Sequence, residues 1–179
     1  PKLLKLEPPY NVHVNRHDPA LERESALINR RIPASKEFIK NHKINKVIFN
    51  PKEKKIGIIT VGKATTETMD SFERIGIQSP EKNGIGVYAC KVPWPLINQE
   101  IIEFCEGFEE VLIIEEKGAI VEEQVAHILF NIQERPLLSG KLDAITKEAL
   151  IPKTSELSSD IIADCLLKKL APKSTENDQ

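Results

Sequence analysis

The stretch Lys55–Gly62, KIGIITVG, decides the fold. It is an almost continuous apolar run, which is what a strand covered on both faces requires; a strand with one wet face would alternate apolar and polar residues. Gly62 ends the run, and a helix is predicted from about Thr65 to Ile75, with Met69, Phe72 and Ile75 on one side. The same rhythm repeats downstream. GIGVYAC supplies a strand at Ile85–Cys90, KVPWPL follows, and Asn98 can cap a helix carrying Ile101, Ile102, Cys105 and Phe108. EEVLIIEEKGAIVEEQV, residues 109–125, reads as a strand at Val111–Glu115, a loop, and a helix. Val121, Val125, Ile128 and Leu129 give that helix its i, i+4, i+7, i+8 stripe. RPLLSGK adds a strand around Leu137–Ser139, and Leu157, Ile161, Ile162, Cys165, Leu166 and Leu170 mark a last helix over about Ser158–Leu170.

Strands alternating with helices of this length imply βαβ units, a mostly parallel sheet and right-handed crossovers. The expected fold is therefore an α/β three-layer sandwich with a helical N-terminal extension. In that extension Pro8-Pro9 marks an extended connector, with Asn11–Val14 strand-like. Asp18-Pro19 has the form of a helix start, Pro33 is expected to interrupt that helix, and Ser35–His42 forms a second piece. Val47–Phe49 is a short strand. The division expected is a connector and helical extension at 1–50, an α/β domain at 51–170 and a disordered tail at 171–179.

With 179 residues the chain can bury one sizeable core, and 40% hydrophobic with 29% charged residues fits a globular protein. A formal net charge of −2 offers no general attraction to nucleic acid or acidic membranes. No apolar run approaches the roughly 20 residues of a bilayer span, and no signal-peptide pattern is present, so a cytoplasmic location is expected. Cys90, Cys105 and Cys165 are scattered among apolar residues, which argues for buried reduced thiols and against a disulfide framework or a metal cluster. The first residue is Pro1 and the last stretch is the polar APKSTENDQ, so the chain is expected to be an excised piece of a longer polypeptide.

In open parallel sheets, ligands and partners gather at the carboxyl ends of the strands. Three loops belong to that edge: 60–64, 92–96 and 115–119. Gly62-Lys63 suggests a phosphate loop, with Gly57 at the upstream position, but Ala64 stands where the pattern needs Ser or Thr for magnesium. The match at Gly84, GIGVYA, precedes a strand and ends in alanine, so it is not a dinucleotide fingerprint. Trp94, held between Pro93 and Pro95, is either an outward anchor for a neighbour or a cover over the sheet end. Glu115 and Glu116 are paired carboxylates of the kind that can do acid–base work when burial separates their pKa values. At a strand end such carboxylates more often stay solvated or neutralise the amides of the next helix, and Lys117 beside them favours salt bridging. The histidines His13, His17, His42 and His127 are dispersed, and no cysteine or carboxylate stands at metal-ligand spacing from them. No catalytic, cofactor-binding or metal-ligating residue is assigned. Gly62, Lys63, Pro93, Trp94, Pro95, Glu115, Glu116 and Lys117 are candidates for an interdomain or ligand edge.

NVHVNRHDP, FIKNHKINKVIFNPKEKKIGIITVGKA, YACKVPWPL, FCEGFEEVLIIEEKGAIVEEQV, RPLLSGKLD and LIPKTSELSSDIIADCL, taken in order, resemble the middle of indolepyruvate ferredoxin oxidoreductases. The resemblance is to the large single-chain form within the 2-oxoacid ferredoxin oxidoreductases and covers nearly the whole chain. It implies a transketolase-C-terminal-like domain. It also implies a parent enzyme that uses thiamine diphosphate, magnesium and 4Fe-4S clusters to decarboxylate aryl-pyruvates oxidatively, forming acyl-CoA and reducing ferredoxin. The implied partners are the other domains of the parent chain, a second parent subunit in a homodimer, ferredoxin and coenzyme A. This sequence carries neither the G-D-G and N-N pyrophosphate motif nor a cluster-type cysteine set. The pyrimidine-activating glutamate would also lie elsewhere, so Glu115 does not take that role. The expected function is a non-catalytic structural and interaction domain of such an enzyme. The alternative is a stand-alone ligand-binding or enzyme domain using the edge around Lys63, Trp94 and Glu115.

Overall fold

The computed structural model describes residues 17–171. The connector up to residue 16, with the strand-like Asn11–Val14 and His13, and the tail from 172 onward lie outside the described residues. Five strands form one sheet in the order β1-β3-β2-β4-β5. They are β1 Lys46–Phe49, β2 Ile56–Val61, β3 Ile85–Cys90, β4 Glu110–Ile114 and β5 Leu137–Ser139. All neighbours run parallel except β1, which pairs antiparallel with β3. Strand β1, read from sequence as part of the N-terminal extension, thus completes one edge of the sheet.

The helices are α1 Ala20–Ala26, α2 Ile32–Asn41, α3 Ala64–Arg74, α4 Asn98–Cys105, α5 Ile120–Leu129 and α6 Ser159–Leu170. One face of the sheet packs Ile58, Val87, Leu112 and Ile114 against Phe72 of α3 and Ile162 and Leu166 of α6. The other packs Ile59, Val111 and Ile113 against Ile101 and Phe104 of α4 and Val121 and Val125 of α5. The alternating side chains of β2, β3 and β4 therefore feed two separate cores, and this is the three-layer α/β sandwich. Ser71 of α3 joins the outer layer to α6 by donating to the Ser159 carbonyl at 2.8 Å.

Two local expectations are corrected. Pro33 does not interrupt the first helix, because α1 continues through a π-helical stretch, Leu27–Arg31, directly into α2. Proline lacks the N–H that the preceding turn would use, and a wider turn accommodates that loss without ending the helix. Asn98 does not cap α4 with its side chain, since its Oδ1 accepts from Lys36 Nζ at 3.2 Å. The last helix is capped by Ser158, whose hydroxyl accepts from the Ile161 N–H.

Phe108 shows how tightly the layers meet. Gly57 and Gly86 face each other across β2 and β3, and the Phe108 ring lies over both. A Cβ on Gly57 would come within 3.0 Å of that ring, and a Cβ on Gly86 would collide with its tip.

At the amino-terminal end of β4 the core holds charge. Glu110, 6% exposed, bonds Lys169 of α6 and accepts from the Ser139 hydroxyl, and Lys169 reaches Asp143 at 2.6 Å. Burial would lower the Lys169 pKa, but its bonds to Asp143 and Glu110 outweigh that and hold it above the usual lysine value. Burial likewise opposes the charged form of Asp143, yet Lys169 and the Thr146 and Ile145 amides bring it from 3.8 down to about 2.

Gly86→Ala is expected to cost about 1–3 kcal/mol in urea unfolding, because the ring above it has no slack. A depressed carboxylate stabilises the fold above its unfolded pKa and loses that contribution as pH falls through its folded pKa. The Asp143 contribution should therefore fade between 3.8 and about 2. Urea midpoints measured across that window should fall less steeply for Asp143→Asn than for the parent chain.

Candidate functional site

The topology reverses around β2: α3 leaves its carboxyl end toward one face, while α4 and α5 follow the neighbouring strands on the other. Crevices form at such reversals. The three loops expected at this edge do converge there, and the hydrogen bonds show what each candidate residue does.

Gly62 turns the chain in a left-handed conformation, φ 57°, and its N–H donates to the Cys90 carbonyl at 3.0 Å, tying the first loop to the second. Gly57, the upstream position of the rejected phosphate pattern, is inside β2, so no glycine-rich loop exists to wrap a phosphate. Lys63 is exposed and bonds Glu156, with Glu67 at 3.4 Å. The hydrogen bond to Glu156 raises its pKa, and Lys63 in turn lowers that of Glu156.

Glu115 is not at a surface. It is 3% exposed, and its two carboxylate oxygens accept from the Val121 and Glu122 N–H groups, each at 2.9 Å. These are the unpaired amides at the start of α5, where a carboxylate also meets the positive end of the helix dipole. Exposed Glu116 accepts from the Leu157 N–H at 3.2 Å, anchoring the segment that leads into α6. Lys117, next in sequence, is exposed and in the left-handed region, φ 63°. The trio is therefore brought together in sequence but divided in task.

Gln124 of α5 fixes the second loop: its Nε2 donates to the Pro93 carbonyl at 2.7 Å and its Oε1 accepts from the Leu96 N–H at 3.1 Å. Pro95 is buried, whereas Trp94 is 53% exposed. The Trp94–Pro95 peptide is cis. The indole separates two concavities. One, of about 590 Å³, lies toward Ile32, Ile120 and His127; the other, of about 480 Å³, lies toward Ala34, Phe38 and Ile39. Ile120 is 58% and Phe38 40% exposed, so the tryptophan stands in a band of apolar surface running from α2 to α5.

Sequence reading missed Lys141, Glu156 and Gln124. Lys141 is 3% exposed; its Nζ donates to the Glu115 carbonyl at 2.5 Å and its N–H to Glu122 Oε2 at 2.8 Å. Burial lowers its pKa, against the pull of Glu115 and Glu122. No periodic signal distinguishes a lysine whose stem passes under a loop from a solvated one. His127 of α5 is exposed.

Among the described residues no group of three or more His, Cys, Asp or Glu could hold a metal ion. Cys90 and Cys105 belong to one core layer and Cys165 to the other, and burial pushes each thiol up to about 12. No described helix is long and apolar enough to cross a membrane.

Glu115→Ala would leave two buried helix amides unsatisfied and is expected to cost about 1–2 kcal/mol, read by chemical denaturation with native helix content retained.

Comparison with known proteins agrees with this architecture. Residues 46–179 match the family model described as the indolepyruvate oxidoreductase domain. A curated relative, indolepyruvate oxidoreductase subunit IorA of Methanothermobacter marburgensis, is 27% identical over 119 residues, 66% of this chain and 18% of that protein. This chain thus spans less than a fifth of that relative. Among solved structures, the 2-oxoglutarate:ferredoxin oxidoreductase of Magnetococcus marinus aligns with a TM-score of 0.53 at 14% identity, over 86% of this chain and 24% of that one. A split-gene transketolase in an inactive β4 tetramer aligns with a TM-score of 0.48 at 16% identity, over 70% of this chain and 41% of that one. The family model covers most of the chain, including all five strands and the carboxyl edge they build, and the chain belongs to the indolepyruvate oxidoreductase domain family.

Proposed function

We propose that this chain is a non-catalytic interaction domain of a larger indolepyruvate ferredoxin oxidoreductase, and that the carboxyl edge of its sheet docks on neighbouring domains. The observation that carries this reading is Trp94, half exposed beside an apolar concavity toward Ala34, Phe38 and Ile39, on an edge where Lys63, Glu115 and Glu116 are already engaged. Lys63 is ion-paired, Glu115 satisfies helix amides, and Glu116 holds the approach to α6. A docking edge needs a rigid aromatic anchor with apolar surroundings, and the second loop supplies it.

In this reading residues 51–170 form a transketolase-C-terminal-like unit, with β1 added at its edge. Thiamine diphosphate, magnesium and the 4Fe-4S clusters are held by other parts of the parent enzyme, which would also meet ferredoxin and coenzyme A and assemble as a homodimer.

The test is a pair of calorimetric titrations of the chain, one with thiamine diphosphate and magnesium, the other with the remaining domains of the parent enzyme. No heat of binding is expected in the first and a saturable complex in the second, with Trp94→Ala weakening that complex at least about tenfold. Saturable binding of thiamine diphosphate, or a complex indifferent to Trp94→Ala, would overturn the proposal.

A further inference from the structure

The helical extension is seated on the domain at one end only. Ala34 and Ile39 of α2 are buried, whereas no residue of α1 or of the π-helical stretch Leu27–Arg31 is. Leu21 is 79% and Ile28 55% exposed, and Leu27 is exposed as well. A helix this short draws its stability from packing an apolar face, and among the described residues nothing covers this one. Its apolar residues are not scattered. Leu21 and Ile28 stand seven residues apart, and Glu24, Leu27 and Arg31 follow the i+3 and i+4 steps between and beyond them. The five therefore share one side of the helix.

The charges on this helix are sorted along its length. Glu22 and Glu24 lie in its first half, Arg30 and Arg31 in its second. None of the four finds an opposite charge three or four residues away, and none belongs to an ion pair among the described residues. The Arg31 guanidinium makes one long bond, to the Arg23 carbonyl at 3.3 Å, and its Nε bonds nothing. An acidic half followed by a basic half is complementary to itself when two copies lie antiparallel. A single register then sets Leu27 beside the second copy's Ile28, Glu24 beside its Arg31, and Leu21 over the turn that follows that arginine. Two-fold symmetry makes each contact twice. Antiparallel pairing also leaves the two domains at opposite ends of the helix pair. A parallel pair would bring both domains to one end and set like charges together.

We propose that the helix Ala20–Arg31 pairs antiparallel with the same helix of a second copy of this chain, about a two-fold axis passing between Leu27 and Ile28. Leu21, Leu27 and Ile28 supply the apolar contact, and Glu24 with Arg31 sets its direction and register. The proposal rests on the reading above only in supposing a second subunit in the assembled enzyme, and the Trp94 edge takes no part in it.

The experiment is sedimentation equilibrium of the chain. Such a contact is small beside the roughly 1,200–2,000 Å² of a stable interface, so the dimer is expected to appear as concentration rises from about 10 µM to about 1 mM. Glu24→Arg and Arg31→Glu each turn two attractions into two repulsions, and each should weaken the dimer at least about tenfold. An equimolar mixture of these two variants should dimerise as the unaltered chain does, because each carries the charge that the other needs. The exposed pair Leu27→Gln, Ile28→Gln should weaken the dimer at least about tenfold as well, and it carries the test if Arg31→Glu lowers the helix content. A chain that stays monomeric through about 1 mM, a dimer indifferent to these variants, or a mixture no better than its two components would overturn the proposal. So would self-association that appears only when residues 1–16 are removed, which would make that connector the occupant of the helix. Docking of the Trp94 edge is read by titration with the remaining domains of the parent enzyme, so the two proposals fall separately.

Discussion

Strand β2 is bonded on both edges and covered on both faces, and the rest of the molecule follows from satisfying that position. Its partners β3 and β4 must run parallel to it, each delivered by a helical crossover. Its side chains must be apolar in both directions, and they are, apart from Thr60. That hydroxyl is not left orphaned: it reaches the Tyr88 carbonyl at 3.3 Å and meets the Thr65 hydroxyl at 2.9 Å. Gly57 supplies the missing volume that lets Phe108 close one face. The central strand thus sets the length, direction and packing depth of everything around it.

Once the sheet is fixed in this way, the carboxyl edge becomes a crowded junction where loops and helix starts must satisfy many backbone amides in little space. The chain spends its polar side chains on that problem. Glu115 serves α5, Glu116 serves the segment before α6, Gln124 serves the second loop, and Lys141 bonds the carbonyls of Glu115 and Pro152. Groups committed to holding the backbone are poor candidates for chemistry, since moving a proton on any of them would loosen a helix start or a loop. Trp94, Ile120 and Phe38 are exposed apolar side chains there, and the proposed docking rests on them.

Much of the fold was legible because it rests on local pattern. The run Ile56–Val61, the stripe Val121–Val125–Leu129 and the spacing of Ile161, Ile162, Cys165 and Leu166 each carry their own periodic signal, and each element is found where that signal lies. The helix through Pro33 was not legible, because proline announces a break and only the surrounding helix decides whether a wider turn absorbs it. The candidate edge was half legible. Topology placed its three loops together, but nothing in EEK says that Glu115 is buried while Glu116 and Lys117 are exposed.

By itself the sequence determined the α/β class, the positions of the strands and the family, because alternation of apolar runs with helical stripes and a set of matching motifs are properties of order along the chain. Tertiary structure alone decided which polar residues meet. The pairs Glu115 with Lys141, Glu110 with Lys169 and Asn45 with the end of β3 join residues far apart in sequence. Hydrogen bonds and ion pairs act over a few ångströms, whereas the sequence signal of a strand or helix reaches only along its own length. Whether a carboxylate faces water, a helix start or a buried ammonium is therefore settled when the layers close.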